Sequence, residues 1–249
     1  MTIFIAIYIT LLGVSLGSFF NVVGLRMPAG ESLLHPPSRC PKCGTRLTPL
    51  DLIPVLSYLF SRGKCRHCGT RISPVYLLGE AATGLLFLVM YLKFGLTLNG
   101  LVGMLLVSLA VIITVSDLKY MLIPDKVLLF FAPVLLFLVP CMAEFSLWEH
   151  VLGAISGGGV LFLLALFGGM GVGDAKLFAL LGWVLGWPQV IVAFLIACAL
   201  GAGVGGIMQV SGRIQRRQPV PFGPFLALGA LLSLLFGPDI IGAYLSFIG

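Results

Sequence analysis

The chain has 249 residues, 59% of them hydrophobic and 10% charged, with 15 basic against 9 acidic side chains. Soluble domains carry about 25% charged residues, and a mean hydropathy of +1.12 leaves too little polar surface to cover one. A soluble enzyme, a disordered chain and a disulfide-rich secreted scaffold are excluded, which leaves a polytopic membrane protein.

Residues 1–25 carry no charge, and further uncharged runs cover 94–116, 127–143, 151–173, 177–212 and 218–238. A helix needs about 20 apolar residues to cross the hydrocarbon core. The 36-residue run at 177–212 is too long for one pass. Trp187-Pro188 supplies its break, because proline suits the first turn of a new helix. The pattern predicts an all-α polytopic protein with about eight transmembrane helices, near 3–24, 74–92, 97–116, 127–142, 151–168, 175–187, 189–210 and 222–247. The first span lacks the basic n-region and small-residue cleavage site of a signal peptide, and Arg26 anchors its end. Three parts follow: a first span at 1–25, a loop at 26–73, and a membrane core at 74–249.

If the first span runs outside to inside, every lysine and arginine except Lys93 falls in an internal connection. The external connection at 143–150 then holds Glu144 and Glu149 and no lysine or arginine. That bias predicts both termini outside and the loop at 26–73 in the cytosol. The net charge of +6 is therefore a topology signal, so the expected partner is the lipid bilayer and not nucleic acid.

The loop holds Cys40-Pro41-Lys42-Cys43-Gly44 and Cys65-Arg66-His67-Cys68-Gly69, with 21 residues between Cys43 and Cys65. Two CxxC pairs at this separation match a four-thiolate zinc site. Each pair points two sulfurs at one metal, and the glycine after it lets the backbone turn back under them. A reducing cytosol argues against disulfides. Four sulfurs close the coordination sphere, so Cys40, Cys43, Cys65 and Cys68 are read as ligands of a structural, non-catalytic Zn2+. His67 could replace one ligand but reads better as an exposed bystander. The competing reading is two unrelated redox or structural CxxC pairs.

Acids near the membrane are costly and invite a functional reading. Asp117 closes the third span, and Asp174 stands in Gly171-Val172-Gly173-Asp174-Ala175-Lys176 ahead of the sixth. Both fall at the same cytoplasmic depth although 57 residues separate them. Two carboxylates sharing one site hold one proton between them. The ionised member can deprotonate a water while the protonated one polarises a peptide carbonyl, which is aspartic-protease chemistry. Gly171 and Gly173 would let a substrate strand approach the backbone, and a helix N-terminus would favour the Asp174 anion. Asp125, after Pro124, reads as a cap or a supporting group, and Lys176 as the partner of an acid or a lipid headgroup. Glu80, inside the second span, calls for a partner among the basic residues of the loop. The competing reading makes the aspartates plain helix-end anchors.

These residues belong to an ordered series. Gly17-Ser18-Phe19-Phe20-Asn21-Val22-Val23 with Arg26 and Pro28 opens it, and the cysteine knuckles follow with 51–58 between them. Ser116-Asp117 through Pro124-Asp125, then 171–177, then Pro221-Phe222-Gly223-Pro224-Phe225 complete it. Over nearly the whole chain the series resembles the bifunctional type IV prepilin peptidases, aspartic proteases of the GxGD type. The resemblance implies that Asp117 and Asp174 are the catalytic pair, that the four cysteines bind zinc, and that the protein resides in the bacterial inner membrane. It also implies cleavage of the basic leader of type IV prepilins or pseudopilins after a glycine, at the cytoplasmic face. N-methylation of the new terminus with S-adenosylmethionine would follow, with the loop at 26–73 as the candidate seat of that activity. No glycine-rich strand-to-helix signature of a soluble methyltransferase is present, so the cofactor is expected between the zinc loop and the membrane. Lys119-Tyr120-Met121-Leu122 stands where the family often has further polar residues.

Two readings from other classes compete. A secondary transporter would use Asp117 and Asp174 as a proton or cation site near the bilayer midplane, within inverted repeats. A zinc-dependent assembly scaffold would carry no chemistry.

Overall fold

The computed structural model describes residues 2–142, 146–212 and 220–248. Of the topology residues, Glu144, Arg213, Arg216 and Arg217 lie outside them. The helices are α1 (Thr2–Arg26), α2 (Leu56–Phe60), α3 (Pro74–Phe94), α4 (Leu98–Tyr120), α5 (Asp125–Leu138), α6 (Leu147–Leu166), α7 (Val172–Leu185), α8 (Gln189–Val210) and α9 (Gly223–Ile248). Among the described residues no strand forms, and only two isolated bridges occur, both in the loop. The protein is all-α.

Each expected span corresponds to one helix. Six of them (α1, α3, α4, α6, α8 and α9) are long and apolar enough to cross a bilayer. Helices α5 and α7 have 14 residues each, short of the about 20 that a perpendicular pass requires. The break expected at Trp187-Pro188 is present, with α7 ending at Leu185 and Pro188 preceding α8. Several boundaries move, and two of the shifts bear on the aspartates. Helix α4 continues beyond residue 116 to Tyr120, so Asp117 lies inside it, and α7 begins at Val172, so Asp174 lies in its first turn.

Helix α4 is the centre of the bundle, with Leu106, Leu109 and Ile113 fully buried, and it packs against α1, α3, α5 and α9. Lipid tails are as apolar as leucine, so helices in a bilayer associate through close backbone approach at small residues. Gly153 of α6 and Gly182 of α7 meet in this way, since a Cβ on either would strike the other's carbonyl oxygen. Between α8 and α9, Gly229 rests on the carbonyl of Ala193. Between α1 and α3, a Cβ at Gly17 would fall 2.8 Å from Thr83 Oγ1. Asn21 adds a polar tie there, its Nδ2 donating to Tyr76 O at 2.9 Å.

Candidate functional site

The last turn of α4 and the first turn of α7 build one half of the site. Helix α4 stops because Met121 takes the left-handed conformation (φ 51°), with its N–H donating to Asp117 O at 2.8 Å. The Ser116 hydroxyl donates to Leu122 O and pins the chain as it turns. Asp117, 5% exposed, accepts through Oδ2 from Gly223 N–H at 2.8 Å. Asp174, at the third position of α7, accepts through Oδ2 from Gly171 N–H at 3.2 Å. Among the described residues Oδ1 of neither aspartate has a hydrogen-bond partner, which leaves it for water or a peptide.

One cavity of about 220 Å³ gathers Asp117, Asp174, Gly171, Gly173, Asp125 and Lys176, with Met121–Ile123 on its wall. The fold thus brings together every residue singled out as catalytic or supporting. Lys176 Nζ donates to Asp125 Oδ1 at 2.8 Å, an ion pair with side chains 51% and 70% exposed. Such an exposed pair stabilises little, but it fixes a cation at the cavity mouth. Gly173 packs closely on the wall, since a Cβ there would lie 3.2 Å from Ile123 Cβ.

Gly223 was not among the expected site residues. A Cβ on it would stand 2.8 Å from Asp117 Oδ2 and 3.2 Å from Ile113 Cγ2, so only glycine lets its N–H reach the carboxylate unhindered. Its only sequence signal is its place between Phe222 and Pro224 in the last motif of the series. Nothing local ties it to Asp117.

The loop holds the second site. The sulfurs of Cys40, Cys43, Cys65 and Cys68 all lie within 4.8 Å of one another. Cys40 and Cys68 Sγ are 3.7 Å apart, and Cys43 and Cys65 Sγ 4.0 Å. Zinc–sulfur bonds of about 2.3 Å in a tetrahedron place sulfurs roughly 3.8 Å apart, so the cluster fits Zn2+. The two knuckles repeat each other bond for bond. Gly44 N–H donates to Cys40 O and Gly69 N–H to Cys65 O, each at 2.9 Å, and Cys40 and Cys65 donate to Thr45 O and Thr70 O. Gly44 and Gly69 have φ of +70° and +68°, the backbone that the glycine after each pair was expected to supply. Bridges Arg39–Arg46 and Lys64–Arg71 close the two turns. Hydrogen bonds to Thr45 hold the Cys43 thiol down to about 6, and the backbone N–H groups of Cys68 and His67 lower that of Cys65. Both effects favour the thiolate that a metal needs, whereas at Cys68, against the lowering hydrogen bond of Thr70, burial and the neighbouring sulfurs push the thiol up to about 11. His67 is exposed and stands outside the cluster.

Asp51 braces the segment between the knuckles. Thr48 donates to its Oδ2 through both N–H and hydroxyl, at 3.0 and 2.6 Å, and Arg66 Nε lies 3.3 Å from Oδ1. The Thr48 hydrogen bonds, with Arg66 adding to them, hold its carboxyl below the usual carboxylate range. Glu80, 8% exposed, does not reach a basic loop residue. It accepts from Val55 N–H at 2.7 Å, a backbone partner in place of the expected base.

Two family models cover most of the chain: the bacterial peptidase A24 N-terminal domain over residues 11–94, and the type IV leader peptidase family over residues 104–206. A prepilin leader peptidase/N-methyltransferase of Bacillus subtilis is 40% identical, over 94% of this chain and 95% of the relative. The chain belongs to the type IV leader peptidase family. Proteins of the same name from Pseudomonas aeruginosa and Aeromonas hydrophila are 33% and 34% identical, over 96% and 95% of this chain and 93% and 92% of theirs. No solved structure matches. With its six apolar helices, this family member is a multi-pass protein of the inner membrane.

Proposed function

We propose that the protein is a prepilin leader peptidase that also N-methylates its product, with Asp117 and Asp174 as the catalytic pair. The observation that carries this reading is the shared cavity: two carboxylates from different helices face one space, each with one oxygen held by a backbone N–H and the other left over. The relatives' names supply the substrate class, prepilins, and the family's description the type IV kind.

In this reaction the ionised carboxylate takes a proton from water as the water oxygen bonds to the scissile carbonyl carbon. The protonated carboxyl gives its proton to the carbonyl oxygen, which makes a neutral gem-diol. On collapse a diol hydroxyl returns a proton to the carboxylate that gave one. The carbon–nitrogen bond breaks, the proton taken from water passes to the leaving nitrogen, and the pair ends as it began. Gly223 and Gly171 position the two carboxylates, and Lys176 with Asp125 sets the charge at the mouth.

A prepilin joins a charged leader to an apolar helix, so its scissile bond sits at the membrane interface. The ends of α4 and α7 suit that depth, on the cytoplasmic side in the orientation that the basic residues favour, with both termini outside. The eight-span count enters with this orientation, α5 and α7 being the short passes. Cys40, Cys43, Cys65 and Cys68 would hold Zn2+ as a staple of the loop. S-adenosylmethionine, held by the loop at 26–73 and the helix ends beneath it, would supply the methyl group for the new amino terminus. The transporter reading draws no support from the relatives, and helix ends are not the midplane that it requires.

Purified protein in liposomes with a prepilin-like substrate tests this by mass spectrometry. Leader loss is expected for the wild type and absent for Asp117→Asn and Asp174→Asn, with a methyl mass gain only when S-adenosylmethionine is added. Cleavage at the wild-type rate in either folded variant would return the aspartates to helix-end anchors.

A further inference from the structure

The loop does not lie flat on the bundle. Between it and the ends of α1, α3 and α4 is a cavity of about 830 Å³, within the roughly 300–1,000 Å³ typical of small-molecule sites. Ser18 and Val22 of α1 and Tyr76 and Glu80 of α3, each pair spaced by one helical turn, form its membrane-side wall. Cys40 and Cys65 of the metal cluster, with Asp51, Ser57 and Tyr58, form the loop-side wall.

Two features mark this cavity as a binding site. The first is Glu80, a carboxylate more than nine-tenths buried on an apolar helix, with no ion-pair partner within reach among the described residues. Burying an anion is costly unless something compensates it. The second is the turn that Glu80 holds. Val55, a β-branched residue, sits at φ 61° and ψ −53°, and Leu56 N–H donates to Pro54 O at 2.6 Å across it. That is the strained form of γ-turn. Such strain persists only where the surroundings enforce it, and it gathers at ligand clamps.

We propose that this cavity is the S-adenosylmethionine site and that Glu80 provides the anionic partner for the cofactor's positive charge; this rests on the methyl-transfer reading above. The lining suits the ligand. Tyr58, Tyr76 and Tyr120 offer aromatic faces for a purine and for a sulfonium cation, and Arg26 and Lys119 offer partners for a carboxylate. The place also suits the sequence of reactions. Lys119 and Tyr120 line this cavity while Asp117 and Met121 line the protease cavity, so the terminal turn of α4 is common to both. An amine released at the aspartates emerges beside the methyl donor.

Equilibrium binding of tritiated S-adenosylmethionine to the purified full chain tests the site, followed by ultraviolet cross-linking and peptide mapping. Glu80→Gln keeps an acceptor for Val55 N–H and removes the charge, and Ser57→Trp fills the cavity from the loop side. The wild type is expected to bind, with cross-links in 18–26, 51–58 or 76–80. Each variant is expected to bind at least about tenfold more weakly, the effect of losing a charged partner or the space, with zinc content and leader cleavage retained. Wild-type affinity in both variants, or cross-links confined to α5–α9, would overturn the location and leave the methylation reading standing. Failure of the wild type to bind at all would overturn both. Loss of zinc or cleavage in Glu80→Gln would make Glu80 structural and overturn its role.

Discussion

The loop and the bundle are stabilised by different means. Between residues 26 and 73 the fully buried apolar side chains are nearly limited to Cys40 and Cys65, and the chain is shaped by turns, two bridges and a sulfur cluster. In the bundle, α4 alone buries more than half of its length, and helices meet through glycines where a Cβ would collide with a neighbouring backbone. The loop is therefore organised around a cluster that fits a metal, and the bundle around shape. One chain can thus carry two activities whose supports fail separately.

The largest expected effect separates these supports outright. Stripping zinc with a chelator, or Cys40→Ser, removes metal-binding free energy on the order of 10 kcal/mol from the loop. Limited proteolysis is expected to open 27–73 while circular dichroism keeps the helical signal of the bundle; loss of both together would break the comparison. Next come Asp117→Asn and Asp174→Asn, each lowering leader cleavage by about 10²–10⁴-fold with zinc content unchanged, read by cleavage kinetics and metal analysis side by side. Gly223→Ala follows. Its Cβ would press on Asp117 Oδ2 from 2.8 Å, and a displacement of that kind costs up to about 10²-fold in turnover while S-adenosylmethionine binding stays as in the wild type.

The smallest effect sharpens the comparison on the loop side. Asp51→Asn removes the anion that Thr48 and Arg66 hold, and is expected to lower the temperature at which the loop becomes protease-sensitive, by the roughly 0.5–1 kcal/mol of an ordinary capping interaction. Because the folded value of Asp51 lies below the unfolded one of about 3.9, its contribution is complete above that pH and fades as pH falls through the folded value. Acid also releases zinc by protonating thiolates, so the substitution at neutral pH is the cleaner probe. No change in loop protection would reduce Asp51 to a surface residue.

Some of this was legible in the residues. The knuckle spacing, with a glycine after each pair, announces a four-sulfur site because its geometry is completed within a few residues of each cysteine. The break at Trp187-Pro188 is equally local. The Gly171–Lys176 segment points to chemistry, and the fold gathers Gly171, Gly173, Asp174 and Lys176 with Asp117 and Asp125 around one space. Glu80 was read as needing a basic partner, since a buried acid usually pairs with a base. Its hydrogen bond to the backbone of a strained turn leaves no trace in composition or spacing.

Membrane class, the break at Trp187-Pro188 and the four-cysteine cluster were set by hydropathy, spacing and residue chemistry, all of which act over one or two turns of chain. The tertiary structure alone decided what supports Asp117, where the second cavity lies, and that both cavities share the end of α4. The partner of Asp117 is 106 residues away, and the cavity wall draws on α1, α3, α4 and the loop together. Such meetings depend on which helices can approach closely, and that is decided by the fit of small residues across interfaces rather than by any neighbour in sequence.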